Sequence, residues 1–346
     1  MNIIEGIEGD YIETKESNLI FDVKGLLHPN DRKICFLRFY PDPNGDRIKE
    51  GIKYSKIYNL DDRYSLLRTK YPKYLFFSKE LDLEVQGVMN QDIKKIYTPR
   101  EYLQNLKEKK NLSKLELRSK SLCEFLIDKG GIPQDLIGIT GSTMVDLDKK
   151  GSDIDIILYG TENSHDFQEK LPTLVGGMSE LRKYNMTEFK SHFSWRVGGS
   201  DITFENFMKS EQRKLHQGKF HGIGYFIRYI KSPNDWKGNY YDYNYTNLGR
   251  IRIKALIIDS KDSIFTPCSY KIEPLKVLDK KLSSNRIELK DILEVNSYRA
   301  RFCEHAREGE MVLVEGKLEK VNYKNSLEYY HILLTDQTID KMLILN

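Results

Sequence analysis

The stretch "GSTMVDLDKKGSDIDIILYG", Gly141 to Gly160, opens with a small-residue pair, runs through ten further residues, and reaches two aspartates one position apart at the mouth of an apolar run. Successive side chains of a strand point to opposite faces, so Asp153 and Asp155 share one face while Ile154 and Ile156 pack behind it. Two carboxylates aimed at one place repel each other unless a cation lies between them. Hard oxygen ligands with no His or Cys cluster nearby favour Mg²⁺ or Mn²⁺, the ions that accompany nucleoside triphosphates. Upstream, Gly141 lets the backbone approach a phosphate closely. Ser142 adds N–H and hydroxyl donors at what the pattern suggests is a short helix or loop, where capping and phosphate binding use the same geometry.

The neighbouring sequence reads strand over "LIGIT" (136–140), turn, strand over "DIDIILYG" (153–160), then helix through "SHDFQEKLPTLV" (164–175). Beyond it, "FKSHFSWRV" (189–197) and "SDITFE" (200–205) flank Gly198-Gly199, the signature of a two-residue hairpin, and a helix is expected from Glu205 to His216. A second metal would need a third acidic group. Asp201, just past the glycine turn on a strand expected beside the Asp153 strand, is the candidate, with Glu205 on the same face as the fallback.

This constellation resembles the DNA polymerase β nucleotidyltransferase superfamily: Gly141-Ser142, a ten-residue gap, Asp153-Ile154-Asp155, and a later apolar-flanked Asp201. The resemblance is firm over residues 110 to 210, and the chain as a whole looks similar to an uncharacterised group of predicted archaeal nucleotidyltransferases. It implies that Ser142 contacts a triphosphate, that Asp153 and Asp155 bind the metals, and that Asp201 completes the site as ligand and base. One departure stands out. Many members carry a basic residue soon after the serine, where this chain has Thr143, Met144 and Val145 and delays positive charge to Lys149 and Lys150. Those lysines are the local candidates for phosphate neutralisation, against the plainer reading of a solvated loop.

Working outward, 346 residues suffice for two or three domains. Residues 1–97 read as an irregular, mostly β module, with stretches such as "KICFLRFY" (33–40) and turns such as "HPND" (28–31). At "TPRE" (98–101) Thr98 can cap, Pro99 can take the first helical position and Glu101 can reach back, so a helix opens there. The catalytic domain is set at 98–235. From 246 to 346 alternating strands such as "RIRIKALIID" (250–259) and "EMVLVEGKLEKV" (310–321) suggest a small barrel or sandwich, one option being an oligonucleotide-binding barrel. The fold class is therefore α+β, a polymerase-β-like core between two β modules.

Composition narrows the partners only mildly. A net charge of +4 leans toward anionic partners without the excess of a dedicated duplex binder. The N-terminus lacks the order of a signal peptide and no run is apolar enough to span a membrane, which points to a cytoplasmic protein. Cys35, Cys123, Cys268 and Cys303 are too scattered for a zinc ribbon and read as buried fillers, with a Cys268–Cys303 disulfide conceivable in a hot environment. Basic and aromatic residues alternate between Lys53 and Lys79, and "HQGKFHGIGYFIRYIK" (216–231) holds His216, Lys219, His221 and Arg228. Either stretch could contact nucleotide or RNA, although packed core elements explain both as simply.

The expected activity is transfer of a nucleoside monophosphate from a triphosphate to an acceptor hydroxyl, with RNA such as tRNA the favoured acceptor and pyrophosphate released. The rival is a retired transferase domain serving as an RNA- or protein-binding module. A gap-filling DNA polymerase is weaker, because no helix-hairpin-helix signal for template binding is present.

Overall fold

Alternation at period two, broken by Gly, Asn and Asp turns, makes most of the elements in this α and β fold. The computed structural model describes residues 5–177, 180–283 and 287–345. The chain divides into two units. The first comprises Met1–Ser78, Leu83–Arg182 and His216–Tyr240, and the second Lys79–Asp82, Lys183–Leu215 and Tyr241–Asn346.

In the first unit an eight-stranded sheet is built from β1 (Tyr11–Thr14), β2 (Ile20–Val23), β3 (Arg32–Pro41), β4 (Arg47–Lys49), β5 (Ile52–Lys56), β6 (Leu75–Ser78), β7 (Leu83–Met89) and β8 (Ile93–Tyr97). Its main path runs β4-β5-β3-β2-β1-β8, with β7 pairing β3 and β6. Each face has its own partner. Ile12, Phe21, Cys35 and Leu37 join Leu67 of helix α1 (Leu60–Lys70) in one buried cluster. Tyr11, Ile20, Phe39 and Tyr54 join Met144, Val145 and Leu147 in another.

The same unit carries a five-stranded sheet in the order β11-β12-β13-β10-β9. Its strands are β9 (Ile137–Thr140), β10 (Ile154–Tyr159), β11 (Leu181–Arg182), β12 (Gln217–Phe220) and β13 (Ile223–Ile230). Here β10 runs antiparallel to β9 and parallel to β13. Three helices accompany these strands: α2 (Pro99–Glu108), α3 (Lys114–Asp128) and α4 (Thr161–Gly177). Helices α3 and α4 pack on β10, with Phe167 of α4 6.4 Å from Tyr229 of β13. Helix α2 does begin at Pro99, but Thr98 makes no side-chain cap; the capping box belongs to α3, where Ser113 and Glu116 satisfy each other's backbone N–H.

In the second unit the expected hairpin around Gly198-Gly199 is instead a pair of helices, α5 (Met186–Arg196) and α6 (Phe204–Glu211). Asn185 caps α5 in a capping box with Glu188. Phe189, Phe193 and Val197 then fall at i, i+4 and i+8 and bury against Phe204 and Phe207. Gly199, at φ +85°, turns the chain between the two helices rather than between strands. Helix α6 ends at Glu211, short of the His216 expected.

The remaining strands are β14 (Tyr243–Asp259), β15 (Cys268–Leu282), β16 (Ile292–Ser297), β17 (Met311–Tyr323), β18 (Leu327–Leu333) and β19 (Lys341–Ile344). The order β14-β15-β16-β18-β17, with β17 pairing back onto β14, closes a five-stranded ring in which only β16 and β18 run parallel; β19 adds to the far half of β17. Its interior holds Ile253, Ala255, Tyr270, Val295, Val312, Val314, Leu318 and Ile332. All four cysteines are buried and unlinked, Cys268 and Cys303 included. No helix among the described residues is long and apolar enough to cross a membrane.

Replacing Asn185 with Ala is expected to lower the urea-unfolding stability of the second unit by about 1 kcal/mol, the usual worth of an N-cap. A hairpin at this place would leave that midpoint unchanged.

Candidate metal and phosphate site

Strand β10 presents Asp153 at its threshold and Asp155 within it, on one face as the alternation requires, Asp153 exposed and Asp155 half-buried. Each carboxylate lies against a position without a Cβ. A Cβ on Gly141, just past β9, would overlap Asp155 Oδ2, and one on Gly224 of β13 would overlap Asp153 Oδ1. Gly141 also sits at φ +82°, where a side chain is strained. Glycine on both flanks lets the two carboxylates lie on the backbone of the adjoining chain.

After Gly141 the chain turns without forming a helix. Leu147 N–H donates to Ser142 O at 2.9 Å and Asp146 N–H to Thr143 O at 3.2 Å. The helix N-terminus considered for Ser142 is therefore absent. Met144, Val145 and Leu147 instead plug the loop into the N-terminal sheet, and strand β4 fastens it from outside. Arg47 donates to Leu147 O, and Lys49 reaches Val145 O at 3.3 Å and Tyr97 Oη at 2.7 Å. Lys149 forms an ion pair with Asp46 and is thus already engaged, while Lys150 is exposed.

Cations reach the carboxylates from other elements. Burial and the neighbouring Asp153 charge push the Asp155 carboxyl up to about 6, against the pull of Lys56, Arg228 and Arg38. Arg228 lies beside Ile157 in the β10–β13 register and donates to Glu8 Oε1 at 2.5 Å. Asp22 pairs with Lys24 at 2.8 Å and has Arg38 Nε at 3.9 Å. Burial brings the Lys56 ammonium down to about 8, so it is still charged at neutral pH. Arg228 comes from the stretch singled out in the sequence. Lys56 lies within the basic and aromatic segment but no spacing pointed to it, and Arg38 lies in the alternating stretch 33–40 without being singled out. In the rest of that first stretch, His216 packs edge-on against Phe226 at 5.1 Å, Lys219 is half-buried on β12, and His221 is exposed at the β12–β13 turn.

Asp201 occupies a different setting from the one expected. The strands beside β10 are β9 and β13, neither of which contains it; it belongs to the α5–α6 connection of the second unit, exposed and bonded through both oxygens to Lys341 at 2.6 and 2.7 Å. Glu205 is exposed in the first turn of α6. Among the described residues no group of three His, Cys, Asp or Glu side chains is gathered that could hold a metal. The pair alone nevertheless fits one Mg²⁺ or Mn²⁺, since Mg²⁺ commonly takes one or two protein carboxylates and completes its octahedron with water and phosphate oxygens.

Searches with this chain find no matching family model and no matching solved structure. The chain is similar to Uncharacterized protein MJ1086 of Methanocaldococcus jannaschii, 28% identical over 334 residues, 94% of either chain.

The raised Asp155 carboxyl carries a stability consequence. The folded chain holds this proton to about pH 6 whereas the unfolded chain releases it near 4. Stability is therefore lost as pH rises from 4 through 6, and the ionised, charge-crowded form persists above that. Asp155→Asn is expected to raise the melting temperature at pH 7.5 and to change it little at pH 4.5. Mg²⁺ should stabilise the wild type more at pH 7.5 than at pH 5, and leave the Asn variant nearly unmoved. Gly141→Ala, which displaces the carboxylate and strains the turn, is expected to cost about 1–3 kcal/mol and to remove the Mg²⁺ response, both read from thermal melts.

Proposed function

We propose that the first unit is a metal-dependent nucleotidyltransferase that moves a nucleoside monophosphate from a triphosphate to an acceptor hydroxyl and releases pyrophosphate. The observation that carries this reading is the seating of Asp153 and Asp155 on one strand face, each against a glycine of the adjoining chain, with Gly141-Ser142 at the end of the strand alongside. Mg²⁺ or Mn²⁺ held by the two carboxylates would supply charge compensation for the triphosphate. The acceptor oxygen bonds to the α-phosphorus, the bond to the β-phosphate oxygen breaks, and the hydroxyl proton passes to the carboxylate pair. Gly141 and Ser142 line the place where the phosphates approach. Asp201 lies in the other unit, on the α5–α6 connection, and this reading is built on Asp153 and Asp155 without it.

RNA is the acceptor class favoured by the second unit. Its ring order, with a single parallel pair, supports an oligonucleotide-binding barrel. Residues 250–283, the β14–β15 hairpin, carry eight basic and four acidic side chains, an excess equal to the net +4 of the whole chain. Lys254, Lys276, Lys280 and Lys281 stand exposed there, with Glu273 and Asp279 among them, so this hairpin offers a net positive surface to a phosphate backbone. The retired-transferase reading keeps one point in its favour, the lack of a third acid on β13 beside the pair.

Incubation of the pure protein with each labelled triphosphate, Mg²⁺ or Mn²⁺ and cellular RNA is expected to label RNA. Asp153→Asn/Asp155→Asn should remove the label while leaving the fold and RNA binding intact. RNA binding without label from the wild type, unchanged in that variant and indifferent to metal, would favour the binding module instead. Lys276→Glu/Lys280→Glu is expected to weaken RNA binding at low salt and to flatten its dependence on salt concentration.

A further inference from the structure

The carboxylate face of the five-stranded sheet is covered by the N-terminal sheet. Asp155 shares that face with Thr140 on β9 and Phe226 on β13, its register partners. Thr140 Oγ1 donates to Gly9 O at 2.5 Å, Arg228 reaches Glu8, and Ile157 buries against Ile7. The N-terminal module therefore faces this site with both signs: Glu8 and Asp22 are taken up by Arg228, Lys24 and Arg38, and Lys56 is left over.

Lys56 closes strand β5 opposite Phe39. Its ammonium stands 5.7 Å from the Phe39 ring centre and 5.0 Å from that of Tyr58, half-buried, with no hydrogen bond or ion pair to any described residue. Its neighbours differ: Lys49 holds a carbonyl and a tyrosine, Lys24 two carboxylates, and Lys149 Asp46. Arg38, on β3, interacts with Tyr11 and lies 3.9 Å from Asp22, and only its buried Nε is left without an acceptor. For Lys56, a desolvated cation whose hydrogen-bond donors go unused is costly, and its two aromatic faces offset only part of that cost. The Phe39 ring beneath Lys56 packs on Met144 and Val145, just after Gly141 and Ser142, which brings the ammonium to the side of the loop that meets Asp155. The charges of both cations are felt at Asp155. An anion with several oxygens, entering beside the two aspartates, would satisfy both.

We infer that Lys56 and Arg38 form a seat for the β- and γ-phosphates of the bound triphosphate, supplied by the N-terminal module in place of the basic residue missing after Ser142. This rests on the transferase reading above. The position after Ser142 is not free for a basic residue, because Met144 and Val145 are buried in the cluster that joins the loop to Tyr11, Phe39 and Tyr54. The contact that takes the local position away from a cation is the one that brings the β5 lysine alongside.

The test is calorimetric binding of tripolyphosphate, of a non-hydrolysable triphosphate analogue and of the corresponding nucleoside monophosphate to the full chain with Mg²⁺. Lys56→Met is expected to weaken the analogue and tripolyphosphate at least tenfold and the monophosphate less than twofold, with an unchanged or higher melting temperature. Lys56→Arg should stay within about threefold of wild type. In turnover the loss should appear in KM for the triphosphate more than in kcat. Wild-type affinity for tripolyphosphate in Lys56→Met, an equal loss for the monophosphate, or no tripolyphosphate binding by the wild type would overturn the seat. Normal transfer by a Lys56-independent enzyme would sink the seat and leave the transferase standing. Lys56-dependent tripolyphosphate binding without any nucleotide transfer would keep the seat and sink the transferase.

Discussion

The placing of Asp153 and Asp155 on one strand face, one of them drawn under the N-terminal sheet, is the constraint on which the site in the first unit depends. Two acids two positions apart on one strand face must lie together, and here glycines on both sides bring them close to the neighbouring backbone. Burial first, and the Asp153 charge second, push the Asp155 carboxyl up to about 6. A fold selected for stability alone would place an apolar residue at 155, continuing the run of Ile154, Ile156 and Ile157. A carboxyl held there, against a glycine turn and beside a second acid, is the kind of perturbed group on which the proposed cation site rests.

Period-two alternation in the N-terminal sheet gives that sheet two distinct jobs. Ile12 and Phe21 face α1 and make a self-contained hydrophobic layer, while Tyr11 and Ile20, one position away in each strand, face Met144, Val145 and Leu147. A slip of one residue in β1 or β2 would exchange the two sets and release the loop after Ser142. The register Tyr11↔Asp22 and Ile12↔Phe21 therefore governs the position of Gly141 as well as the packing of the sheet.

What could be read from the sequence was the local part of this arrangement. Strands over 137–140 and 154–159, the shared face of the two aspartates and the glycine turn all depend on short-range rules, as do the alternating strands of the last hundred residues. The α5–α6 pair was misread because Gly198-Gly199 suits a hairpin and a helical turn equally. The deciding signals were the cap at Asn185 and the four-residue spacing of Phe189, Phe193 and Val197. That error placed Asp201 on a strand it does not occupy. Lys56 and Arg38 escaped notice for a different reason: about a hundred residues separate them from Asp155, and the contacts joining them are tertiary.

Under the proposed transferase reading, those tertiary contacts account for a loop with no cation of its own. In a loop that must hold its own phosphate, the residues after the serine face the ligand, and a basic side chain there is solvated in the empty site. Here the same residues are anchors, with Val145 and Leu147 fully buried and their carbonyls held by Lys49 and Arg47. Anchoring fixes Gly141 against Asp155 more firmly than a solvated loop would. It also ties the loop to the β4–β5 hairpin, because Arg47 and Lys49 belong to β4 and Lys56 to the strand paired with it. Backbone position at the glycine turn and the placement of Lys56 are thus both tied to the β4–β5 hairpin and the cluster beneath it.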